Sequence, residues 1–472
     1  MKSKRGKKLI FFSLGPVVGA AVSFITIPIT TFFISPAEYG KASMFLLVQT
    51  IITTFLYFGL DQAYTREYYE QKDRKNLIQN AMVLPFLSAT IASLVLLTEA
   101  HQISKWLLHD ENEILPVMLL CINTYSLIFE RFFLLSIRME EKALCYSIYT
   151  IFIRLAVLIV ILVIMLAGVR NYLVIVNGTL IGQILADLFI IIACRQLLSI
   201  KNFRLDINLI RKLCAFGLPI FIAFFIETIF NITDRFMLNV FSNYKEIGLY
   251  TTALKIASLL KIVQTSFTSF WIPTAYRWHN ENRSISQFQL VSDSITFLFC
   301  FLFIILLLMK NIFRVFFTND YQEIIYIFPF LCFLPMLYTI SETTTLGIVF
   351  SRKTSLNIYV SVAALCVNFF LAFVLIPQWG ARGASVGLGL SYLAYYLMRT
   401  SLSNRYWEGL KVKHQLIMMS IVFALAFYNT FFSAYSFLIN TVGLLLLFLG
   451  NRGLLKKIQP FIENFIHKKR RG

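Results

Sequence analysis

An all-α, polytopic membrane protein of about fourteen transmembrane helices is the fold class that this sequence predicts, on three observations. Of the 472 residues, 58% are apolar and 14% charged, and the mean hydropathy is +0.72, whereas a soluble domain carries about a quarter charged residues. Apolar runs of roughly 20 residues, the length that crosses about 30 Å of hydrocarbon, recur along the whole chain. The Lys and Arg residues gather in alternate connecting segments, as expected of a multi-pass chain whose cytoplasmic loops are positive.

Twelve runs lie near 9–34, 41–61, 78–98, 114–135, 145–167, 172–194, 215–241, 248–270, 290–309, 325–350, 356–376 and 384–402. The stretch Gln415 to Gly450 contains no charged residue. As one helix it would exceed about 50 Å at 1.5 Å per residue, so a break near Asn429–Ser436 is expected to make it a hairpin, giving fourteen spans. The basic start Met1–Lys8 precedes a run longer than the apolar region of a signal peptide, which predicts an uncleaved first helix. With the N-terminus inside, the cytoplasmic segments hold 32 Lys and Arg and the opposite side 7. Both termini are therefore expected in the cytoplasm, in a multi-pass protein of a bacterial plasma (inner) membrane. The connecting loops are short on both sides and leave no room for a soluble domain.

The net charge of +19 does not mark a nucleic-acid binder, because the basic residues sit between apolar runs, where they meet anionic headgroups. The seven Cys lie in or beside apolar runs with no Cys-x-x-Cys pair and read as small buried hydrophobes. Neither a metal nor a cofactor is expected. All five His fall in predicted loops or tails, which argues against a membrane acyltransferase with an intramembrane general base. Polymerases and lipid-dependent glycosyltransferases need a large catalytic loop, so the chain reads as no enzyme.

The two halves echo each other. Gly15-Pro16 opens span one and Gly217-Leu-Pro219 opens span seven, while Glu38-Tyr-Gly40 and Glu246-Ile-Gly-Leu-Tyr250 open spans two and eight. Six spans separate the copies, so both share one orientation. This predicts two six-helix bundles, 1–200 and 201–404, related by a pseudo-twofold axis along the membrane normal. An extra hairpin at 405–450 and a basic cytoplasmic tail at 451–472 follow. Within that tail, Lys456–Arg471 reads as an amphipathic helix on the inner leaflet.

Four stretches carry a family resemblance: Ser35-Pro-Ala-Glu-Tyr-Gly40, Gly217-Leu-Pro219 leading to Thr233-Asp-Arg-Phe236, Ile247-Gly-Leu-Tyr-Thr-Thr-Ala-Leu-Lys-Ile256, and Pro377-Gln-Trp-Gly-Ala-Arg-Gly-Ala-Ser385. In their order and spacing they resemble the polysaccharide-transport branch, the Wzx-type flippases, of the multidrug/oligosaccharidyl-lipid/polysaccharide exporter superfamily. The resemblance implies translocation of an undecaprenyl-diphosphate-linked oligosaccharide from the inner to the outer leaflet, for O-antigen, capsule or a similar polymer, and leaves a lipid II or teichoic-type cargo open. It also implies membrane lipid and the lipid-linked oligosaccharide as partners of a monomer that works alongside a polymerase or glycosyltransferases. The alternative is a cation-coupled drug or small-molecule antiporter of the same superfamily. By their chemistry, Ser35–Gly40 reads as a tight outer turn and Gly380–Ser385 as a stripe of small residues for close helix packing.

Ionised groups inside spans are the informative exception, since each costs about 2.5–3.5 kcal/mol at mid-bilayer on insertion scales. Arg154 lies near the middle of span five, and Glu227, Asn231 and Asp234 share one face of span seven. On span eight, Lys255 reaches about the depth of Asp234 and Lys261 that of Glu227. Arg154, Lys261, Lys255 and Arg235 are the candidate substrate-binding residues, as a cationic lumen suits a diphosphate. Glu227, Asp234, Glu342 and Asp187 are candidates for ion coupling or for structural pairs, and Arg66 and Asp61 are entrance candidates at the inner end of span two. The topology has a direct check. Reporter fusions after residues 37, 108, 244 and 318 and near Ser433 are expected to score as external, and those after 73, 205, 280 and 408 as internal; an internal signal at Ser433 reduces the count to twelve spans.

Overall fold

In hydrocarbon a chain has to satisfy its own backbone hydrogen bonds, and a helix does so within one segment. The computed structural model describes residues 2–108, 113–198, 204–353, 355–407, 409–457 and 459, and among these it is helical without strands. The chain divides into two compact units, 1–248 and 249–472.

The first unit contains α1 (Lys2–Phe33), α2 (Pro36–Tyr57), α3 (Leu60–Glu67), α4 (Arg74–Thr98), α5 (Ala100–Leu108), α6 (Leu115–Met139), α7 (Ala143–Leu166), α8 (Leu173–Ala193) and α9 (Ile207–Phe241). The helix α10 (Tyr244–Ala257) begins in it. The second unit contains α11 (Leu259–Asn280), α12 (Ile285–Leu308), α13 (Lys310–Phe316), α14 (Ile324–Leu331), α15 (Phe333–Thr344), α16 (Leu346–Phe350), α17 (Leu356–Ser403), α18 (Lys413–Phe431) and α19 (Ser436–Gly450).

Eleven helical segments among the described residues are long and apolar enough to cross a membrane. One of them, α17, holds two crossings, because Gly380 leaves helical geometry at φ 52°, ψ −129°. The helix α11, diluted by Gln264, Thr265 and Ser266, and the short α19 make up the expected fourteen. The predicted break in the last apolar stretch falls between Phe431 and Ser436, with Tyr435 at φ 52°. Three short helices, α3, α5 and α13, were not expected. The count of cytoplasmic charges above includes Arg131 and Arg399, in segments 131–142 and 399–414; the structure places Arg131 inside α6 and Arg399 inside α17, so neither belongs to a connecting segment. Most of the proposed amphipathic tail, Lys456–Arg471, lies outside the described residues.

Ser35–Gly40 is a helix start, not a tight turn. Ser35 caps α2, its Oγ accepting from the Glu38 amide at 3.4 Å, and Pro36 occupies the first turn, where its missing N–H costs nothing. Glu38 Oε2 in turn accepts from the Tyr172 amide at the start of α8 (2.9 Å). The glycine of this motif is needed for close approach: a Cβ on Gly40 would stand 1.9 Å from the Tyr244 carbonyl, and one on Gly248 1.9 Å from that of Pro36.

At its other end α2 gives way to α3 through Phe58 (φ 45°) and Gly59 (φ 71°), and Gly59 lies directly against the Gly217 backbone of α9. Between these two glycine crossings, Phe55 and Phe58 meet Phe221 and Phe225, and Thr54 and Thr228 share a hydrogen bond of 2.9 Å. The helix α9 therefore packs with the first unit. In the second unit α15 packs on α17, and α18 and α19 pack on each other and on α12.

Candidate functional site

The first unit carries a buried polar cluster where α6, α7 and α8 meet. Ser126 and Glu130 sit one turn apart on α6, and Gln183 and Asp187 one turn apart on α8. Ser126 Oγ donates to Asp187 Oδ2 at 2.6 Å, while Gln183 Nε2 donates to Glu130 Oε2. Asn123, one turn before, accepts from Gln49 Nε2 of α2 at 2.6 Å. Asp187 is fully buried, and its second oxygen, Oδ1, has no hydrogen-bond partner. The negative charge of Glu130 acts directly on it. Two carboxyl groups this close repel each other as anions, and a shared proton or a bound cation relieves the repulsion.

Arg154 projects from α7 toward the same cluster. Its stem lies over Gly19 of α1, its charge reaches Glu130, and it is exposed. An exposed guanidinium in the middle of an apolar helix requires water or an anion beside it. Next to the cluster, Arg131 Nε and Nη2 hold the buried Asp61 of α3 at 3.0 and 2.5 Å. Lys212 of α9 similarly pairs with the buried Glu67, and Arg66 stacks on Phe216 at 4.3 Å.

A second charged site lies within the 249–472 unit. Arg399 of α17 donates through Nη1 to Glu342 Oε1 and to Ser341 Oγ, each at 2.8 Å, and through Nε to Asn357 Oδ1 at 3.2 Å. The rings of Tyr395 and Tyr338 stand 5.5 and 5.9 Å from the guanidinium. Both charged side chains are 8% exposed, and Trp271 Nε1 ties the Glu342 carbonyl to α11 at 3.2 Å.

Of the sequence-predicted residues, Asp187 and Arg154 therefore come together, with Glu130 between them. Asp61 and Glu342 each face an arginine. Asp234 is buried on α9, Arg235 half-buried beside it, and Glu227 exposed two turns earlier. Lys255 is half-buried near the end of α10, and Lys261 is exposed in the first turn of α11. Sequence reasoning missed Glu130, Arg131 and Arg399, although all three lie within apolar runs. Each lies near the end of its run, whereas Arg154, which was selected, stands in the middle of its own. Among the described residues no group of three or more His, Cys, Asp or Glu side chains gathers as a metal site would require.

Residues 6–279, more than half of the chain, match the family model described as polysaccharide biosynthesis protein. No curated protein matches the sequence. Among solved structures, the lipid II flippase MurJ in an inward closed conformation is similar at 16% identity and a TM-score of 0.68, covering 94% of this chain and 100% of that one. A multidrug resistance MATE family transporter of the MOP superfamily is similar in its inward-facing conformation (13% identity, TM-score 0.60, 87% and 96% of the chains). One in the outward-facing conformation is also similar (13%, 0.58, 84% and 95%). At these identities the likeness concerns the fold.

The Glu342–Arg399 pair gives a sharp test. Removing one partner of a buried ion pair leaves an uncompensated charge, a cost of about 3–5 kcal/mol. Glu342→Gln is therefore expected to lower the thermal midpoint of the purified protein markedly, and adding Arg399→Met is expected to restore most of the loss. A double variant no more stable than Glu342→Gln contradicts the pairing.

Proposed function

This chain belongs to the family of polysaccharide biosynthesis proteins, and from that membership we propose that it is a flippase. Its cargo is an undecaprenyl-diphosphate-linked oligosaccharide, carried from the inner to the outer leaflet for cell-surface polysaccharide synthesis. The observation that carries the reading is this membership in a chain with the fold of the lipid II flippase MurJ along nearly its full length. The protein is multi-pass, and we place it in a bacterial plasma membrane with both termini in the cytoplasm, acting as a monomer beside a polymerase or glycosyltransferases.

Arg154, with Lys261, Lys255 and Arg235, supplies the positive potential for the diphosphate. The Glu130–Asp187 pair, its orphaned oxygen able to take a proton or a small cation, biases the transporter between states. Such a bias requires the coupling ion to bind one state better than the other. The fold likeness to MATE transporters favours a second reading, a cation-coupled antiporter of drugs or other small molecules. The exposed Arg154 and Lys261 favour an anionic cargo instead.

Arg154→Ala and Lys261→Ala are expected to abolish export in a complementation assay while protein remains at normal level in the membrane. Arg154→Lys keeps part of the activity, since the charge survives although the bidentate fork is lost. Full complementation by both Ala variants removes these residues from cargo binding. Rescue of Lys261→Ala by Glu227→Ala instead identifies those two as a structural pair. For coupling, Asp187→Asn is expected to remove the dependence of export on an imposed proton or sodium gradient, and an unchanged dependence eliminates Asp187 from that role.

A further inference from the structure

The second unit contains a cleft of about 600 Å³ between α11 and α12 that meets the Glu342–Arg399 site through Trp271, within the range of ligand pockets. One wall is aromatic: Phe267, Phe270, Trp271 and Trp278 line it from α11, with Phe267 stacked on Trp271 at 5.8 Å and Trp278 edge-on to Trp271 at 5.9 Å. The other wall is one face of α12, on which Gln287, Leu290, Ser294, Ile295 and Leu298 recur at helical spacing. From Gln287 to Leu298 this face runs for roughly 17 Å at 1.5 Å per residue, more than half of the ~30 Å hydrocarbon thickness.

The charged residue lining the cleft stands at one end. Arg283 lines that end, and Arg277 stands beside it, the two sharing the single carboxylate of Glu281 at 2.9 and 4.0 Å. One positive charge is left over there, on the connection between α11 and α12 that the charge distribution assigns to the cytoplasmic side. A long apolar slot that ends in surplus arginine at headgroup level is complementary to a lipid with a phosphate head and an extended hydrocarbon chain.

The geometry points to this cleft as the seat of the polyisoprenoid chain of the cargo, with its diphosphate on Arg283 and Arg277 as it enters from the inner leaflet. The identity of the occupant rests on the flippase reading; the slot and its charged end do not. The aromatic wall suits the unsaturated, methyl-branched chain, which presents flat segments to the rings of Phe267, Trp271 and Trp278. The cleft therefore selects the carrier by its tail and head while leaving the sugar unread.

The experiment uses the purified full chain in nanodiscs of phosphatidylcholine and phosphatidylglycerol, with a diazirine-bearing polyprenyl diphosphate as photoprobe and mass-spectrometric mapping of the adducts. Adducts are expected within residues 267–298, displaced by unlabelled polyprenyl diphosphate and not by added phosphatidylglycerol. Arg283→Ala is expected to lower labelling about tenfold, the weight of one charge-assisted contact. Ser294→Trp, which fills the slot, is expected to abolish it. Competed adducts that map only outside 267–298 overturn the cleft and leave the flippase standing. Displacement by phosphatidylglycerol as readily as by the diphosphate overturns it in favour of a general phospholipid site. Absence of any competed adduct overturns both the cleft and the proposed cargo. If Ser294→Trp lowers the amount of folded protein, the adduct map of the unaltered chain decides alone.

Discussion

Water is absent from the hydrocarbon layer, and an ionised side chain placed there has to bring its own partner or sit where water reaches it. Each intramembrane charge costs about 2.5–3.5 kcal/mol at mid-bilayer on insertion scales, so a chain does not keep one without a use. This constraint sorts the charged residues of the protein into two kinds. Asp61 with Arg131 and Glu342 with Arg399 are closed pairs, each carboxylate buried and each satisfied by a guanidinium from another helix. They hold α3 to α6 and α15 to α17. Arg154, Glu227 and Lys261 are exposed along their helices, which suits groups that meet an ion or a cargo. Asp187 is an intermediate case, fully buried but with one oxygen unpaired.

Close packing is the second device, and it depends on backbone meeting backbone. Lipid tails are as apolar as Leu, so helices in a membrane gain little from hydrophobic burial and rely on close approach. At Gly40 with Gly248, and at Gly59 with Gly217, the helices come so near that no side chain fits between them. One crossing lies in the first turns of α2 and the other at its junction with α3, with the Thr54–Thr228 hydrogen bond and a group of Phe rings between. The helix α2 also contributes Gln49 to the polar cluster, where it donates to Asn123, a turn away from Ser126 and its bond to Asp187.

The fold class was legible because hydropathy and loop charge are long-range averages that no single residue can obscure. The break in the last hairpin followed from length alone. The Gly380 kink was not foreseen as one, although the two apolar runs on either side of it were. The polar clusters were only half legible. Arg154 and Asp187 stand out in apolar sequence, but which helices face one another is a tertiary fact, so their meeting through Glu130 could not be read from spacing. Arg131 and Arg399 read as loop cations in the sequence because they lie within a turn or so of the run ends, where a topogenic arginine and a buried partner look alike. The Ser35–Gly40 motif was recognised as significant but misread as a turn: Pro and Gly serve turns and helix starts equally, and only the cap on Glu38 and the contact with Tyr244 decide between them.

The central claim, that the protein moves a lipid-linked oligosaccharide across the bilayer, is tested most directly in liposomes holding only the purified chain and a fluorescent polyprenyl-diphosphate oligosaccharide. An impermeant quencher added outside reports how much fluorophore each leaflet holds. Fluorophore protected in the inner leaflet is expected to become accessible in vesicles that contain the protein, and to stay protected in vesicles with Arg154→Ala or without protein. Equal protection in all three, together with protein-dependent accumulation of a cationic dye, would contradict the account and assign the chain to drug transport.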